Sequence, residues 1–261
     1  MKLAKKSLGQ NFLVDKNIIR KIINITSIKN KNIVEIGPGY GSLTDEILKK
    51  KPKLISIIEK DFFLYNQLKS KYSNIKNIRI YNADILDFDL EKIVKNNSII
   101  FGNLPYNISS QILVKILKFK KWPPKFDNLI FMFQKELGDK ILGNYLSKNY
   151  GRLSILSNYR LNNIDRFTVS PNCFFPKPKI TSIVINFKPK KKTTINIKDL
   201  QNLEKITNIF FSKKRKMINK VIKKILNRKE IQSLKGLNLD SRPAEIKPEI
   251  YYKITELFEK K

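Results

Sequence analysis

The stretch Val34-Glu-Ile-Gly-Pro-Gly-Tyr-Gly41 decides how this chain is read. It overlaps a short β-branched run, Asn32–Ile36, and leads into a segment of helical periodicity near Thr44–Lys50. Glycines at 37, 39 and 41 let the main chain turn sharply and let a ligand approach its backbone closely. In an open α/β sheet a ligand sits beyond the carboxyl end of such a strand. The expectation is therefore an α/β fold, with a mainly parallel Rossmann-like sheet and helices on both faces.

The same alternation continues outward. Further strands are expected at Leu54–Glu59, Ile78–Asn82, Ser98–Gly102 and Asn128–Phe133, with helices near Phe62–Tyr72, Ser109–Phe119 and Lys135–Leu142. Ahead of them, Asp15 is placed to cap a helix whose apolar face is Ile18, Ile19, Ile22 and Ile23. Two later strand-like runs, Asn163–Val169 and Ser182–Phe187, are joined by a proline-bearing connection without a helix signal, which suits an antiparallel pair at a sheet edge. The charged stretch Pro189-Lys-Lys-Lys-Thr-Thr194 reads as a linker, and from about residue 195 onward only helical patterns follow. Leu200, Leu203, Ile206, Ile209 and Phe210 mark one helix; Ile218, Val221, Ile222 and Ile225 mark another. The expected division is a catalytic domain over residues 1–188 and a small all-helical domain over 189–261.

Composition narrows the chemistry. The 261 residues are 41% hydrophobic, enough for a core, and no apolar run approaches the roughly 18–20 residues of a membrane span. A single cysteine, Cys173, allows no intrachain disulfide and suits a reducing interior, so a cytoplasmic protein is expected. There is no histidine, which removes every imidazole base and metal ligand; with one cysteine, no metal site is expected. The net charge of +31 points to a polyanionic partner. The abundance of lysine, asparagine and isoleucine matches codon drift in AT-rich genomes. Drift alone would raise glutamate too, yet Asp and Glu total 22 against 53 Lys and Arg. Nucleic acid is the favoured partner, since no basic amphipathic helix with an aromatic face suggests a membrane surface.

Glu59 closes the second strand, about 20 residues beyond the glycine turn, where a carboxylate accepts both hydroxyls of a ribose. Asp84, in Asn82-Ala-Asp-Ile85, ends the third strand and is placed to accept from an adenine amine. Together with Gly37 and Gly39 these residues form a nucleotide-cofactor site. A nicotinamide dehydrogenase would show the same pattern, so the spacing alone leaves the cofactor open.

The next motif separates the two. Gly102-Asn-Leu-Pro-Tyr-Asn-Ile-Ser109 stands directly after the fourth strand. An exocyclic adenine amine is a poor nucleophile because its lone pair is delocalised into the ring. Acceptors for its two N–H groups favour a pyramidal nitrogen and localise that pair; Asn103, through its side-chain oxygen, and the Leu104 carbonyl are the natural acceptors. Pro105 stiffens the turn, and Tyr106 offers a flat face for a base. The amine then attacks a sulfonium methyl in line, with orientation supplying much of the catalysis and no imidazole required. The base must be flipped or unpaired to enter. Phe174, in Cys173-Phe-Phe-Pro-Lys-Pro-Lys179, is the candidate for a second aromatic wall.

On these residues the chain resembles the small-subunit ribosomal RNA adenine-N6 dimethyltransferases. The likeness runs through Leu8-Gly-Gln-Asn-Phe-Leu13, Glu35-Ile-Gly-Pro-Gly39, Ile58-Glu-Lys-Asp61, Asn82-Ala-Asp84, Asn103-Leu-Pro-Tyr106, Phe133-Gln-Lys-Glu136, Tyr150-Gly-Arg-Leu153 and Phe174-Phe-Pro-Lys-Pro-Lys179. Lys213-Lys-Arg-Lys216 and Asp240-Ser-Arg-Pro243 extend it to the C-terminal part. The resemblance implies S-adenosyl-L-methionine as cofactor and dimethylation of two adjacent adenosines in a hairpin loop near the 3′ end of small-subunit RNA. It also implies a late role in ribosome biogenesis, acting as a monomer on RNA within an immature 30S subunit. It adds Asn11 and Leu13 to the cofactor residues and places the family's other cofactor positions on Gly37, Glu59, Asp84 and Asn103; unaided, Leu13 reads as an ordinary core leucine. Lys213 stands where the family usually has glutamine.

Three alternatives share parts of this pattern. A large-subunit RNA methyltransferase of the antibiotic-resistance type has the same catalytic motifs, but the Phe174–Lys179 loop and the basic C-terminal helices favour the small subunit. A DNA adenine methyltransferase would carry an added target-recognition segment. An assembly factor acting by binding alone would not need intact cofactor and amine motifs. Lys213, Lys214, Arg215 and Lys216, with Lys220, Lys223 and Lys224 beyond, are the candidate phosphate contacts.

Overall fold

The computed structural model describes residues 10–193 and 195–261. Leu8 and Gly9 of the N-terminal motif and Thr194 of the expected linker lie outside the described residues. The chain forms two compact units. The first takes residues up to Ile116, Pro124–Gly138 and Asn163–Pro189; the second takes Leu117–Pro123, Asp139–Asn162 and Lys190–Lys261.

The first unit opens with the two-residue strand β1 (Phe12–Leu13) and helix α1 (Lys16–Ile23). Asp15 caps α1, its carboxylate accepting from the amides of Asn17 and Ile18 at 2.8 and 2.9 Å, and Ile19, Ile22 and Ile23 face the core. Then follow β2 (Asn32–Ile36), α2 (Ser42–Lys49), β3 (Leu54–Glu59), α3 (Phe62–Lys71), β4 (Ile78–Asn82), the short α4 (Leu90–Ile93), β5 (Ser98–Asn103), α5 (Ser109–Leu117), β6 (Phe126–Gln134) and α6 (Lys135–Ile141). Strands β2, β3, β5 and β6 read as near-continuous buried runs, as strands covered on both faces must.

After α7 (Arg152–Arg160) come β7 (Leu161–Val169), the two-residue β8 (Phe174–Phe175) and β9 (Ser182–Pro189). The large sheet runs β4-β3-β2-β5-β6-β9-β7. Its pairs from β4 to β6 are parallel, and β9 joins β6 antiparallel, with Gln134 opposite Ser182. The strand order reverses at β2, which lies between β3 and β5, so their carboxyl ends form the crevice that ligands occupy in open α/β sheets.

The second unit is built on α7, α8 (Leu200–Phe211), α9 (Asn219–Ile222), α10 (Arg228–Gln232) and α11 (Pro248–Phe258). Helices α7, α8 and α11 contact one another around Leu203, Ile206, Phe210 and Tyr251. Buried tyrosines satisfy their hydroxyls on main-chain carbonyls: Tyr251 on Pro243 at 2.7 Å, Tyr150 on Ile246 at 2.8 Å and Tyr252 on Ile155 at 3.1 Å. This unit reaches beyond the expected 189–261, because α7 and the 117–123 segment pack with the C-terminal helices. Arg160 ties these pieces together, donating to the carbonyls of Leu117 and Phe119 and lying 4.6 Å from the Trp122 ring.

Candidate active site

A cleft at the carboxyl ends of β2, β3 and β5 encloses about 1110 Å³ of space opening to solvent. Its walls include Asn11, Leu13, Gly37, Gly39, Glu59, Asp84 and the whole run Asn103–Tyr106. The candidate cofactor residues and the amine motif therefore share one cavity.

The glycine turn forms the floor. Gly37 has φ of +67° and donates its amide to the Ile58 carbonyl at 3.0 Å, which binds the turn to the neighbouring strand. Gly39 has φ of +60°, and a Cβ there would stand 2.7 Å from the Phe12 ring. Both the backbone angle and the space demand glycine at that position. Phe12 in turn packs edge-on against Tyr40, with ring centroids 4.7 Å apart.

Glu59 is fixed from both sides. Its Oε2 accepts from the Gly39 amide at 3.3 Å and its Oε1 from the Asp61 amide at 2.8 Å. Asp61 also caps α3, accepting from the amides of Phe63 and Leu64, so the helix start and the carboxylate are set by one turn. Burial pushes the Glu59 carboxyl up to about 7, against the pull of those backbone donors. Beneath the turn, wholly buried Glu35 is also pushed up to about 7 by burial and accepts from the Thr44 hydroxyl at 2.7 Å. Asp84 is held low by its bond from Lys60, 2.6 Å away, and also accepts from the Leu86 amide at 2.9 Å.

The amine motif closes the cleft. Asn103 donates its side-chain Nδ2 to the Asn11 main-chain carbonyl at 3.0 Å, which turns the side-chain oxygen into the group on offer. Leu104 is buried, and a Cβ on Gly102 would stand 2.5 Å from its Cδ2, so the glycine before the motif makes room for the leucine. The Gly37 and Asn103–Pro105 turns approach closely: a Cβ on Gly37 would lie 3.6 Å from the Asn103 carbonyl oxygen and 3.8 Å from Pro105 Cδ. Tyr106 lines the cleft with its hydroxyl on Ser182 Oγ at 2.5 Å, and burial raises its pKa.

Phe174, expected as a second aromatic wall, is not among the residues that line the cleft. In the antiparallel β1–β8 ladder Phe174 stands opposite Leu13 and Phe175 opposite Phe12. Side chains alternate along a strand, so Phe174 turns into the core at 4% exposure while Phe175 is 56% exposed. Lys213–Lys216, the candidate phosphate contacts, form an exposed turn after α8. Conversely, Leu13 is both a core residue and a cleft wall. Residue reasoning missed Ser182; a lone hydroxyl opening a buried strand gave a faint signal of a polar partner.

The family model described as "Ribosomal RNA adenine dimethylase" matches residues 1–260. "Ribosomal RNA small subunit methyltransferase A" of Pelagibacter ubique is 46% identical over 260 residues, covering 98% of this chain and 97% of the relative. The protein of the same description from Malacoplasma penetrans is 37% identical over 259 residues, covering 96% and 90%. Among solved structures, a dimethyladenosine transferase from Plasmodium falciparum superposes with TM-score 0.78 at 24% identity, covering 95% of this chain and 98% of that one. The 23S rRNA methyltransferase ErmE superposes with TM-score 0.70 at 22% identity, covering 95% and 100%. Both likenesses show the fold, a Rossmann-like sheet flanked by helices.

Proposed function

The chain belongs to the ribosomal RNA adenine dimethylase family, and from that premise we propose that it dimethylates the N6 amines of two adjacent adenosines in a hairpin loop near the 3′ end of small-subunit ribosomal RNA. The observation that carries the reading is the meeting, in one cleft, of a glycine turn, a buried carboxylate and an Asn-Leu-Pro-Tyr turn whose asparagine has its nitrogen already engaged.

The cleft suits S-adenosylmethionine on its own chemistry. Glu59, held on two backbone amides, offers remaining lone pairs to ribose hydroxyls, and Asp84 offers an acceptor to an adenine amine. Gly39, with no Cβ, lets the Phe12 ring pack against the turn at the wall of the cleft. When bound, this cofactor supplies an electrophilic methyl group on sulfur. The chain's own contribution is to prepare the nucleophile. Asn103 Oδ1 and the Leu104 carbonyl accept from the target amine and localise its lone pair toward the methyl. Tyr106 stacks on the base, and Pro105 keeps the turn rigid. The methylated nitrogen is cationic and acidic, and its proton leaves to water, so a chain without histidine suffices.

Lys213, Lys214, Arg215 and Lys216, all exposed, are proposed to contact phosphates of the RNA in an immature small subunit. No helix among the described residues is long and apolar enough to cross a membrane; the cytoplasm is the compartment proposed with the ribosomal RNA substrate.

The reading is tested by incubating the protein with labelled S-adenosylmethionine and immature small or large subunits, then analysing the RNA by mass. Dimethyladenosine is expected in small-subunit RNA. Label confined to large-subunit RNA would overturn the substrate assignment, and label in neither would overturn the activity.

A further inference from the structure

Tyr106 is anchored by a residue distant in sequence. Ser182 opens β9, is fully buried and lies opposite Gln134 of β6. The Thr181 carbonyl accepts from the Lys135 amide at 2.9 Å, so the chain entering β9 is fastened on both sides of this serine. Its Oγ lies 2.5 Å from the Tyr106 hydroxyl, the shortest distance compatible with a hydroxyl–hydroxyl bond. At its other end the Tyr106 carbonyl accepts from the Ser109 hydroxyl at 3.1 Å, and Ile108 donates to the Pro105 carbonyl at 3.2 Å. The main chain of the turn is thus held by α5, while the far tip of the ring is held by the sheet.

We propose that Ser182 is a positioning residue for methyl transfer: it fixes where the Tyr106 ring lies in the cleft, so that a flipped base stacks at the place which presents its amine to Asn103. This rests on the proposed role of Tyr106 as the stacking face. A tyrosine ring is a lever that swings between χ1 wells, and a ring whose tip is free to swing offers a base no fixed place to stack. A bond at the para hydroxyl, at the far end of that lever, fixes where the tip lies and holds one χ1 setting. Burial discourages ionisation of that hydroxyl, so the anchor stays a neutral hydrogen bond at working pH. In-line transfer depends on angle, and a lost anchor therefore lowers turnover more than binding.

The experiment uses the full-length protein. Two variants remove the same bond from opposite ends, Ser182→Ala and Tyr106→Phe, so a folding defect confined to the buried serine is recognised by the second. Turnover, cofactor affinity and melting temperature are measured for each. Stacking is read from quenching of 2-aminopurine placed at a target adenosine of the RNA. The expected result is a fall in kcat of roughly 5-fold in both variants, the equivalent of one neutral hydrogen bond, with cofactor affinity unchanged and quenching weakened. The double variant is expected to be no worse than either single one. Tyr106→Ala separates the two claims. If it loses activity while Ser182→Ala and Tyr106→Phe both keep wild-type turnover and quenching, the positioning role is overturned and the stacking face stands. If Tyr106→Ala itself turns over normally, the stacking face falls and the positioning role with it.

Discussion

The Asn103 side chain donates to the main-chain carbonyl of Asn11, 3.0 Å away across 92 positions of sequence. The bond sorts the two ends of the Asn103 amide, engaging its nitrogen and presenting its oxygen. It also joins the N-terminal segment to the Asn103–Tyr106 turn, both of which line the cleft.

Because the acceptor is main chain, Asn11→Ala keeps this bond. Its expected effect falls on the cofactor: a loss of affinity of roughly tenfold, about what one good hydrogen bond supplies. Turnover at saturating cofactor is expected to stay close to wild type. Calorimetric titration with S-adenosylmethionine, beside steady-state kinetics, checks both halves.

Cofactor affinity should depend on pH through Glu59. Its carboxyl is pushed up to about 7, and ribose hydroxyls donate to the ionised form, so binding favours loss of the proton. Affinity is therefore expected to rise from pH 6 to 8 and level off above, since below 7 the protonated form must first ionise. Glu59→Gln should bind weakly with this rise removed. Glu35, also near 7, is common to both proteins, so the difference between the two profiles isolates Glu59.

Arg160 should matter for stability rather than chemistry. It donates to the carbonyls of Leu117 and Phe119, both buried residues, and lies against Trp122. Arg160→Ala is expected to cost roughly 1–3 kcal/mol, because buried carbonyls lose their donor. Denaturant melts give this value directly, and an unchanged midpoint would remove the assigned role.

The basic turn Lys213–Lys216 should reveal itself in salt dependence. Replacing the four residues by serine is expected to lower the log–log slope of RNA affinity against salt by about 0.7–0.9 for each lost phosphate contact. An identical slope would leave the turn as a solvated surface.

The readable parts of this protein were those set by short-range rules. The glycine turn, Glu59, Asp84 and the Asn103–Tyr106 run each stand at or just beyond the end of a strand, and the turn chemistry that places them lies within a few residues. Strand positions came out within a few residues for the same reason. What escaped depends on distant pairing. Which of Phe174 and Phe175 turns inward is decided by the register of β8 against β1. Two adjacent aromatic residues carry no sign of which will be buried. The bond from Asn103 to Asn11 falls on a carbonyl, which every residue possesses, so no side-chain pattern marks that pairing across 92 positions. Helix α7, rich in Ser and Asn, has weak helical propensity and is held by packing against α8 and α11. A single cut after residue 188 misses that packing for the same reason.

The central claim is that Asn103 prepares the amine. Asn103→Ala should be assayed for single-turnover methyl transfer, with cofactor and RNA affinities measured on the same protein. The account predicts a fall in the transfer rate of about 10²–10³ at saturating cofactor, the scale of removing a preorganised polar group from a reacting centre, with RNA affinity retained. Wild-type transfer by that variant would contradict it.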